Sequence, residues 1–314
     1  MLRPIVTLNL PSTIISKLHE KGFFYVEELA NLNSKQLKNF NLSRSDIEKQ
    51  LQPSQELGLD IWQRETQQEH ISLCCSELEA ALGGGIQCRV ITELSGVPFS
   101  GKTQICMQLC ISVQLNKCYG GLDGRAIYID TRSGTCASRF KDIVRGLNKS
   151  HKDLNLNADE VLKCIEILSP NSVEEFVQII DSLKFKMKSN KDEKKVRLII
   201  VDSLSMPILC CIDDPTKRPY YYSHILHKLH KLALINELAV VITNELVMQV
   251  DKDGKSYFAA AGGQYVADYA SVKLEMTRLT DHKFATCLLK SPIMPEISVT
   301  FMITEDGIRN FSCT

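Results

Sequence analysis

The chain has 314 residues, of which 44% are hydrophobic and 24% charged, a composition typical of a globular protein with room for a substantial core. Lysine plus arginine and aspartate plus glutamate each number 37, so no net positive charge is available to hold nucleic acid across the whole surface. The twelve cysteines lie in apolar segments or adjacent pairs without a C-x-x-C motif, which predicts reduced thiols inside a cell. No apolar run has the length of a membrane span, so we expect no membrane partner.

The first part of the chain predicts a small helical domain. Residues 11–51 contain four short stretches with apolar residues at helical spacing, most of them with a serine or proline near the start. The following stretch is polar and rich in Gln and Glu, and it carries an apolar group of Leu59, Ile61 and Trp62. We therefore divide the chain into a helical domain at residues 1–51, a linker at 52–70 and a second domain at 71–314.

From Ile71 onwards, short apolar runs alternate with stretches at helical spacing. The runs RVITEL, AIYID, CIEIL, VRLIIVDS and LAVVITN predict strands, and residues 102–115, 136–147, 173–187 and 220–234 predict helices. Near-continuous apolar strands joined by helices indicate an α/β fold whose sheet is mostly parallel and covered on both faces. Three later runs, SVKLEM, FATCLLK and ISVTFMIT, have no long helices between them and predict antiparallel strands at one edge.

Residues 96–103, with the sequence GVPFSGKT, match the pattern G-x-x-x-x-G-K-[ST] between a predicted strand and a predicted helix. We call them the phosphate loop. Such a loop turns backbone N–H groups toward phosphate oxygens, its lysine reaches the terminal phosphates, and its threonine offers a hydroxyl to Mg²⁺. The motif predicts that ATP binds here with Mg²⁺. The predicted contact residues are Gly96, Val97, Pro98, Phe99, Ser100, Gly101, Lys102, Thr103 and Gln104.

Asp202 ends the apolar run KVRLIIVD about a hundred residues later. A carboxylate at the carboxyl end of a strand that neighbours the phosphate loop is typical of a magnesium site in this class of fold. We therefore expect Thr103 and Asp202 to hold Mg²⁺, with Asp202 acting through water. The alternative is a strand that merely ends in a polar turn.

Several segments, taken in order, resemble a known family. LGGGIQCRVITELSGVPFSGKTQICMQL, YGGLDGRAIYIDT, GGQYVADYASVKLEM and LLKSP are similar to the RecA-like strand-exchange recombinases of eukaryotes, and KTQICMQLCISVQLNKCYGG is most similar to one of their paralogue groups. The resemblance extends over nearly the whole chain and is strongest in 71–314. It implies a RecA-like ATP-binding core, a hetero-oligomer with sister paralogues, and a role in homologous-recombination repair of DNA double-strand breaks. It also implies a nuclear location, with the cytoplasm as an addition.

The same resemblance implies roles for further residues. Arg139 is similar to the arginine that stacks on adenine, residues 204–218 and 248–262 correspond to two mobile loops that face DNA, and 289–296 to a cap over a neighbour's nucleotide. We expect single-stranded or branched DNA as the partner of the two loops. Their predicted DNA-binding residues are Lys217, Arg218, Lys252 and Lys255.

Two residues depart from the family pattern at the nucleotide pocket. Arg132 stands where the family has a glutamate that orients water, and Glu245 stands where it has a glutamine that senses the terminal phosphate. We expect the strands ending at Asp130 and Asn244 to lie beside the phosphate loop. Arg132 and Glu245 should then form a salt bridge over the nucleotide pocket, or share the phosphate with Arg132 nearer to it. An arginine stays protonated and cannot act as a general base, so we expect hydrolysis to be weak or absent. The alternative is that both side chains have drifted and point to solvent.

Three functions remain open at this point. The first is an adaptor that holds ATP as a structural ligand, and the second is a DNA-stimulated ATPase that forms filaments and exchanges strands. The linker contains no Phe-x-x-Ala motif of the kind that strings recombinases into filaments, which favours the adaptor. The third, an unrelated P-loop transferase, has no acceptor-hydroxyl site in its favour.

Two other clusters carry open alternatives. His224, His227 and His230 are spaced as two possible metal ligands on a helix, but the sequence places no carboxylate or thiol beside them to complete a site. The aromatic run at 219–222 either stacks on unpaired bases or begins a helix that faces the core. The pair Asp213 and Asp214 predicts a turn or a helix cap.

Overall fold

The architecture is that of a computed structural model, which describes residues 5, 8, 10–30, 32–45, 57–189, 194–250 and 253–311. The chain divides into two compact units, Met1–Gln67 and Gln68–Thr314. None of the described helices is long and apolar enough to cross a lipid bilayer.

The described part of the first unit is helical. Its helices are α1 (Ser12–Glu20), α2 (Val26–Ala30), α3 (Ser34–Lys38) and α4 (Gly58–Thr66). Leu18, Leu29 and Leu37 are buried together in a small apolar core. Asn33 begins α3 with a capping box, in which its side chain accepts from the Gln36 N–H and the Gln36 side chain accepts in return. The fourth predicted helix of this domain extends into residues 46–56, which lie outside the described residues.

Helix α4 falls within the predicted linker, so that segment is not irregular throughout. It has no buried residue. The side chains of Leu59 and Trp62 are 59% and 60% exposed, and Ile61 is 38% exposed. The apolar group of the linker is therefore presented to solvent on a short helix.

The second unit is built around one large sheet. In chain order its elements are β1 (His70–Ile71), α5 (Ser76–Leu82), β2 (Ile86–Gln87), β3 (Ile91–Gly96), α6 (Lys102–Ser112), β4 (Arg125–Asp130), α7 (Ala137–Ser150), α8 (Ala158–Lys163), β5 (Ile165–Leu168), α9 (Val173–Ser189), β6 (Val196–Asp202), α10 (Ser205–Cys211), α11 (Arg218–Asn236), β7 (Ala239–Val250), β8 (Ser256–Ala260), α12 (Gly263–Tyr269), β9 (Ala270–Arg278), β10 (Lys283–Lys290), β11 (Ile297–Thr304) and β12 (Gly307–Asn310).

The strand order is β12-β11-β10-β9-β3-β7-β6-β4-β5, and β8 joins by pairing with β7. All pairs from β9 to β5 are parallel, whereas β10, β11 and β12 add antiparallel strands at one edge. The predicted α/β fold with a mostly parallel sheet is thereby confirmed. The runs SVKLEM, FATCLLK and ISVTFMIT form β9, β10 and β11, which pair antiparallel in that order as predicted. β9 also pairs parallel with β3 and so joins this edge to the parallel part of the sheet.

The central strands are buried on both faces. Successive side chains of a strand point to opposite faces, so a strand covered on both sides must be apolar at nearly every position. Leu94 and Val241 belong to the core on one face, and Ile91 and Val240 belong to the core on the other. This two-sided burial explains the near-continuous apolar runs of the sequence.

The two segments that the resemblance identifies as loops contain regular structure. Within 204–218, α10 forms a helix, and within 248–262 the end of β7 pairs with β8 as an antiparallel hairpin. In this hairpin Met248 lies opposite Phe258, and both are well exposed. Both segments therefore contain regular structure in part, and in the second the alternation in LVMQV supports the strand. Their role as loops that face DNA stays a prediction.

Candidate functional site

The phosphate loop connects the end of β3 to the start of α6, as the sequence predicts. Glycine is required at two positions of this loop, because a side chain there would clash with a neighbour and because the backbone φ is positive. A Cβ on Gly96 (φ 156°) would lie 2.5 Å from the carbonyl oxygen of Met276, and one on Gly101 (φ 93°) would lie 2.6 Å from Cδ1 of Ile303. The loop is thus closely packed against the sheet, and its curvature depends on residues without a side chain.

Lys102 is buried within the curve of the loop. Its ammonium donates to the carbonyl oxygens of Gly96 at 2.7 Å and Val97 at 3.0 Å. Burial lowers the pKa of Lys102, and the nearby carboxylate of Glu245 opposes that shift. The loop therefore holds one desolvated positive charge at its centre.

Asp202 accepts hydrogen bonds from three hydroxyl groups. Its Oδ2 accepts from Thr103 and from Tyr128, each at 2.7 Å, and its Oδ1 accepts from Thr243 at 2.5 Å. In the sheet, β7 lies between β3 and β6, the strand that ends at Asp202. Asp202 nevertheless contacts the phosphate loop, because Thr103 in the first turn of α6 extends toward it.

The oxygen atoms of Thr103 and Asp202 fit a magnesium ion. Mg²⁺ prefers hard oxygen ligands and is bound through one or two protein groups together with phosphates and water. A hydroxyl and a carboxylate already in contact at 2.7 Å supply such a donor set. We conclude that the side chains present are chemically suited to hold the metal that the sequence predicts.

Arg132 and Glu245 form the salt bridge that the sequence predicts. A guanidinium nitrogen of Arg132 donates to Oε1 of Glu245, which also lies 3.9 Å from the Lys102 ammonium. The Glu245 side chain is 13% exposed and that of Arg132 is 38% exposed. The alternative of two drifted side chains directed to solvent is therefore excluded.

The predicted reason for this contact is only half right. β7, which carries Glu245, lies beside β3, but β4 is separated from β3 by both β7 and β6. Arg132 still reaches the phosphate loop because it follows β4 in a turn and its side chain is long. Asp130 fixes that turn by accepting from the backbone N–H groups of Arg132 at 3.0 Å and Thr135 at 2.8 Å. Burial raises the pKa of Asp130, but these hydrogen bonds outweigh it and hold the pKa below its usual value.

Arg139 is held in a fixed plane beside Gln104, the residue that follows the phosphate loop. Its Nε donates to Oε1 of Gln104 at 2.7 Å, and its terminal nitrogens donate to the carbonyl oxygens of Thr304 and Glu305 at 2.7 and 2.5 Å. The turn after β11 is also packed tightly on α7, since a Cβ on Gly146 would lie 2.2 Å from the carbonyl oxygen of Asp306. These contacts orient the guanidinium that the resemblance assigns to adenine stacking.

A cavity of about 460 Å³ opens over the phosphate loop. Its lining brings together the predicted residues Pro98 to Gln104, Arg132 and Asp202. The remaining wall was not predicted from the sequence and consists of Arg278, Asp281, Phe284 and Ile303. This volume falls within the range of small-molecule and cofactor sites.

A buried polar network lies next to Glu245. The Asn244 side chain donates to Oε1 of Glu93 and to the carbonyl oxygen of Ala261, both at 2.8 Å. Glu93 is fully buried, and its second oxygen lies 3.2 Å from the ammonium of Lys273. The network fixes the point at which β7 leaves the large sheet for the hairpin.

The predicted DNA-binding residues are placed at two positions. Lys217 and Arg218 lie at the start of α11, where Arg218 donates to the carbonyl oxygen of Ile212 at 2.9 Å. Lys255 immediately precedes β8, and Lys252 lies outside the described residues. Asp214 accepts from the Thr216 backbone N–H at 2.9 Å, which confirms the predicted turn.

The structure bears on the alternatives left open for the aromatic run at 219–222 and for the three histidines. Tyr222 is 2% exposed and belongs to the core, as the helix alternative predicts, whereas Tyr220 is 62% exposed, so stacking on bases stays a prediction for Tyr220. His224 lies 3.2 Å from a carboxylate oxygen of Asp181, a partner that the sequence did not indicate. Among the described residues, no group of three or more His, Cys, Asp or Glu side chains is arranged to hold a metal ion.

A phosphate loop followed by a helix, on a mostly parallel sheet with an added antiparallel edge, defines a RecA-like α/β protein. A family model described as Rad51 matches residues 64–311, and the chain belongs to the Rad51 family. The chain is 27% identical to the DNA repair protein RAD51 homolog 3 of Cricetulus griseus, over 100% of this chain and 94% of that protein. It is 34% identical to the DNA repair and recombination protein RadA of Aeropyrum pernix, over 74% of this chain and 70% of that protein. The family resemblance is thereby confirmed.

Proposed function

We propose that this protein is an ATP-binding recombination paralogue that acts in homologous-recombination repair of DNA as part of a hetero-oligomer, and that it holds ATP with little or no hydrolysis. The names of its relatives, a DNA repair protein and a DNA repair and recombination protein, support the repair role. The observation that carries the proposal is the ion pair of Arg132 and Glu245 against the phosphate loop.

The chain's own residues suit retention of a nucleotide. The backbone of the phosphate loop and the ammonium of Lys102 bind phosphate oxygens, and Arg139 offers a flat, fixed cation to the base. Thr103 and Asp202 hold Mg²⁺, which when bound neutralises phosphate charge and orients the phosphate oxygens. The contacts described above hold Lys102, Thr103 and Arg139 close to the phosphate loop before a nucleotide binds.

The same pocket is poorly suited to hydrolysis. Arg132 cannot accept a proton from water near neutral pH, because a guanidinium stays protonated. The Glu245 carboxylate also lies beside the loop, but it is engaged by Arg132 and lies 3.9 Å from the Lys102 ammonium. Neither side chain is therefore free to orient and activate an attacking water.

The partners follow from surface features. The exposed Leu59, Ile61 and Trp62 of α4 are suited to dock on a sister paralogue, because a well-exposed tryptophan with apolar neighbours is typical of an interface anchor. Lys217, Arg218, Lys252 and Lys255 are the proposed DNA contacts, for single-stranded or branched DNA. Repair of chromosomal DNA places the complex in the nucleus.

One experiment tests the proposal as a whole. The full chain is purified with its copurifying partner, loaded with ATP and Mg²⁺, and assayed in the same sample for nucleotide retained and phosphate released. We expect ATP to remain bound near one per chain with very slow release of phosphate, and we expect Lys102→Ala to lose the retained ATP. Brisk phosphate release, increased by DNA, would instead establish the alternative of an active DNA-stimulated ATPase.

A further inference from the structure

Tyr128 is a buried polar residue that the proposed function leaves without a role. It is 1% exposed and lies in β4, in a run that is otherwise aliphatic. A buried tyrosine hydroxyl needs a hydrogen-bond partner, and here Oη donates to Oδ2 of Asp202 at 2.7 Å. The residue therefore links the core of the sheet directly to the carboxylate beside the phosphate loop.

The register of the sheet explains how the hydroxyl reaches that carboxylate. β4 and β6 are parallel, with Tyr128 opposite Ile200 and Asp130 opposite Asp202. Tyr128 thus lies two residues before the level of Asp202, a distance of roughly 6.6 Å along a strand. A phenol extended toward the carboxyl end of the sheet spans this distance, which a serine or threonine at the same position does not.

The Asp202 carboxylate is held at both oxygens. Thr243 donates to Oδ1, whereas Oδ2 is shared by Thr103 and Tyr128. Of these three hydroxyl groups, that of Thr103 is the one proposed above to bind Mg²⁺. Tyr128 is then the donor that keeps Oδ2 oriented.

We propose that Tyr128 is a positioning residue, which fixes the Asp202 carboxylate for Mg²⁺ and so sets how strongly ATP binding depends on magnesium. This inference rests on the proposed ATP binding. Hydrogen-bond donors behind a metal ligand commonly change metal affinity by 10–100-fold when they are removed.

The test uses Tyr128→Phe in the full chain, a change that deletes one oxygen and keeps the ring. The affinity for a fluorescent ATP analogue is measured from EDTA to millimolar Mg²⁺. We expect the Mg²⁺ concentration at half-effect to rise roughly tenfold, while affinity in EDTA stays unchanged. Phe176→Leu is the matched control, since Phe176 is equally buried but packs on the other face of the sheet.

The outcomes are distinguishable. A Tyr128→Phe curve that superimposes on the wild-type curve would overturn the inference, and so would an equal shift in Phe176→Leu. Thr243→Val is a second variant, which removes the hydrogen bond to Oδ1 of the same carboxylate. If the Mg²⁺ concentration at half-effect were unchanged in this variant, the idea that a fixed Asp202 carboxylate sets the magnesium dependence would be contradicted. This result can be obtained even if Tyr128→Phe fails to fold. A wild-type chain that binds no ATP at any Mg²⁺ concentration would refute the proposed function itself, and this inference with it.

Discussion

The carboxylate of Glu245 lies 3.9 Å from the ammonium of Lys102 and accepts a hydrogen bond from Arg132. One anion of the protein is therefore shared by two cations at the phosphate loop. A triphosphate entering the cavity would compete with Glu245 for the same positive charges. The Glu245 carboxylate thus partly neutralises the two cations of the pocket, whereas in a pocket without such an anion the cations would face only solvent.

The charge pair gives the first prediction. Arg132→Glu places two acids side by side at the loop, so we expect the affinity for ATP to fall by roughly tenfold or more, which is at least about 1.4 kcal/mol. Combining Arg132→Glu with Glu245→Gln removes one of those acids and should restore most of the affinity. Equilibrium binding of a fluorescent ATP analogue measures both. A double variant as weak as the single one would show that charge is not the cause.

Lys102 gives a prediction for pH. Because burial lowers its pKa, the folded protein releases this proton at a pH where the unfolded chain, with a pKa near 10.5, still holds it. Within that interval the unfolded chain binds more protons, so the Lys102 contribution makes the free energy of unfolding rise with pH. Lys102→Met lacks this contribution. We therefore expect urea unfolding at alkaline pH to show that the free energy of unfolding of the wild type rises with pH relative to that of Lys102→Met. A difference between the two proteins that stays constant with pH would contradict this prediction.

The buried pair of Glu93 and Lys273 gives a prediction for stability. Lys273→Met leaves the fully buried Glu93 carboxylate without its cation, and breaking a buried pair in this way costs about 3–5 kcal/mol. Adding Glu93→Gln removes the uncompensated charge but keeps an acceptor for Asn244, so most of the loss should be recovered. Denaturant unfolding provides the free energies. Lys117→Met, at a lysine that is 76% exposed, is the control and should have little effect.

Assembly is tested at α4. Trp62→Ala should release the sister paralogue in co-purification, because it removes the largest exposed apolar side chain of that helix. Phe185→Ala is the matched control, since Phe185 is 73% exposed and lies on α9 of the second unit. Loss of the partner in both variants would show a general effect of surface apolar residues. Filaments of the isolated chain in electron micrographs would contradict a hetero-oligomer built without self-assembly.

DNA binding should depend only weakly on salt. Each phosphate of single-stranded DNA that a protein neutralises contributes about −0.7 to the slope of log affinity against log salt. Four loop cations on a chain with no net charge therefore predict a shallow slope. Fluorescence anisotropy with single-stranded DNA should show a still flatter slope when Lys217, Arg218, Lys252 and Lys255 are all changed to alanine. A steep slope that survives this change would place the DNA site elsewhere, with the first unit as the next candidate.

The phosphate loop and the alternation of strands and helices could be predicted because both depend on short sequence patterns. The glycine positions, Lys102 and the two-sided burial of the strands each follow from short stretches of chain. The order of the strands could not be predicted, since crossover helices allow β7 and β6 to enter between β3 and β4 without any local sign. The contact of Arg132 and Glu245 was predicted correctly, but the adjacency to β3 on which that prediction rested holds for β7 and not for β4.

The hairpin and Tyr128 had usable signals. The alternation in LVMQV and the Asp253-Gly254 pair are typical of strands joined by a tight turn, and Gly254 has a φ of 77°. A tyrosine in a buried aliphatic strand indicates a polar partner further along the fold, although its identity requires the register of β4 and β6. The wall formed by Arg278 and Phe284 had no such signal, because it depends on how the antiparallel edge folds over the loop.

The close packing of Gly146 against Asp306 has a consequence for natural variation. Gly146 lies two helical turns from Arg139 on α7, and the turn it contacts also supplies the carbonyl oxygens that orient the Arg139 guanidinium. Any side chain at position 146 must push that turn away and carry those carbonyl oxygens with it. A harmful inherited change can therefore arise at a residue that never contacts the nucleotide, and a survey limited to pocket-lining positions would pass over it.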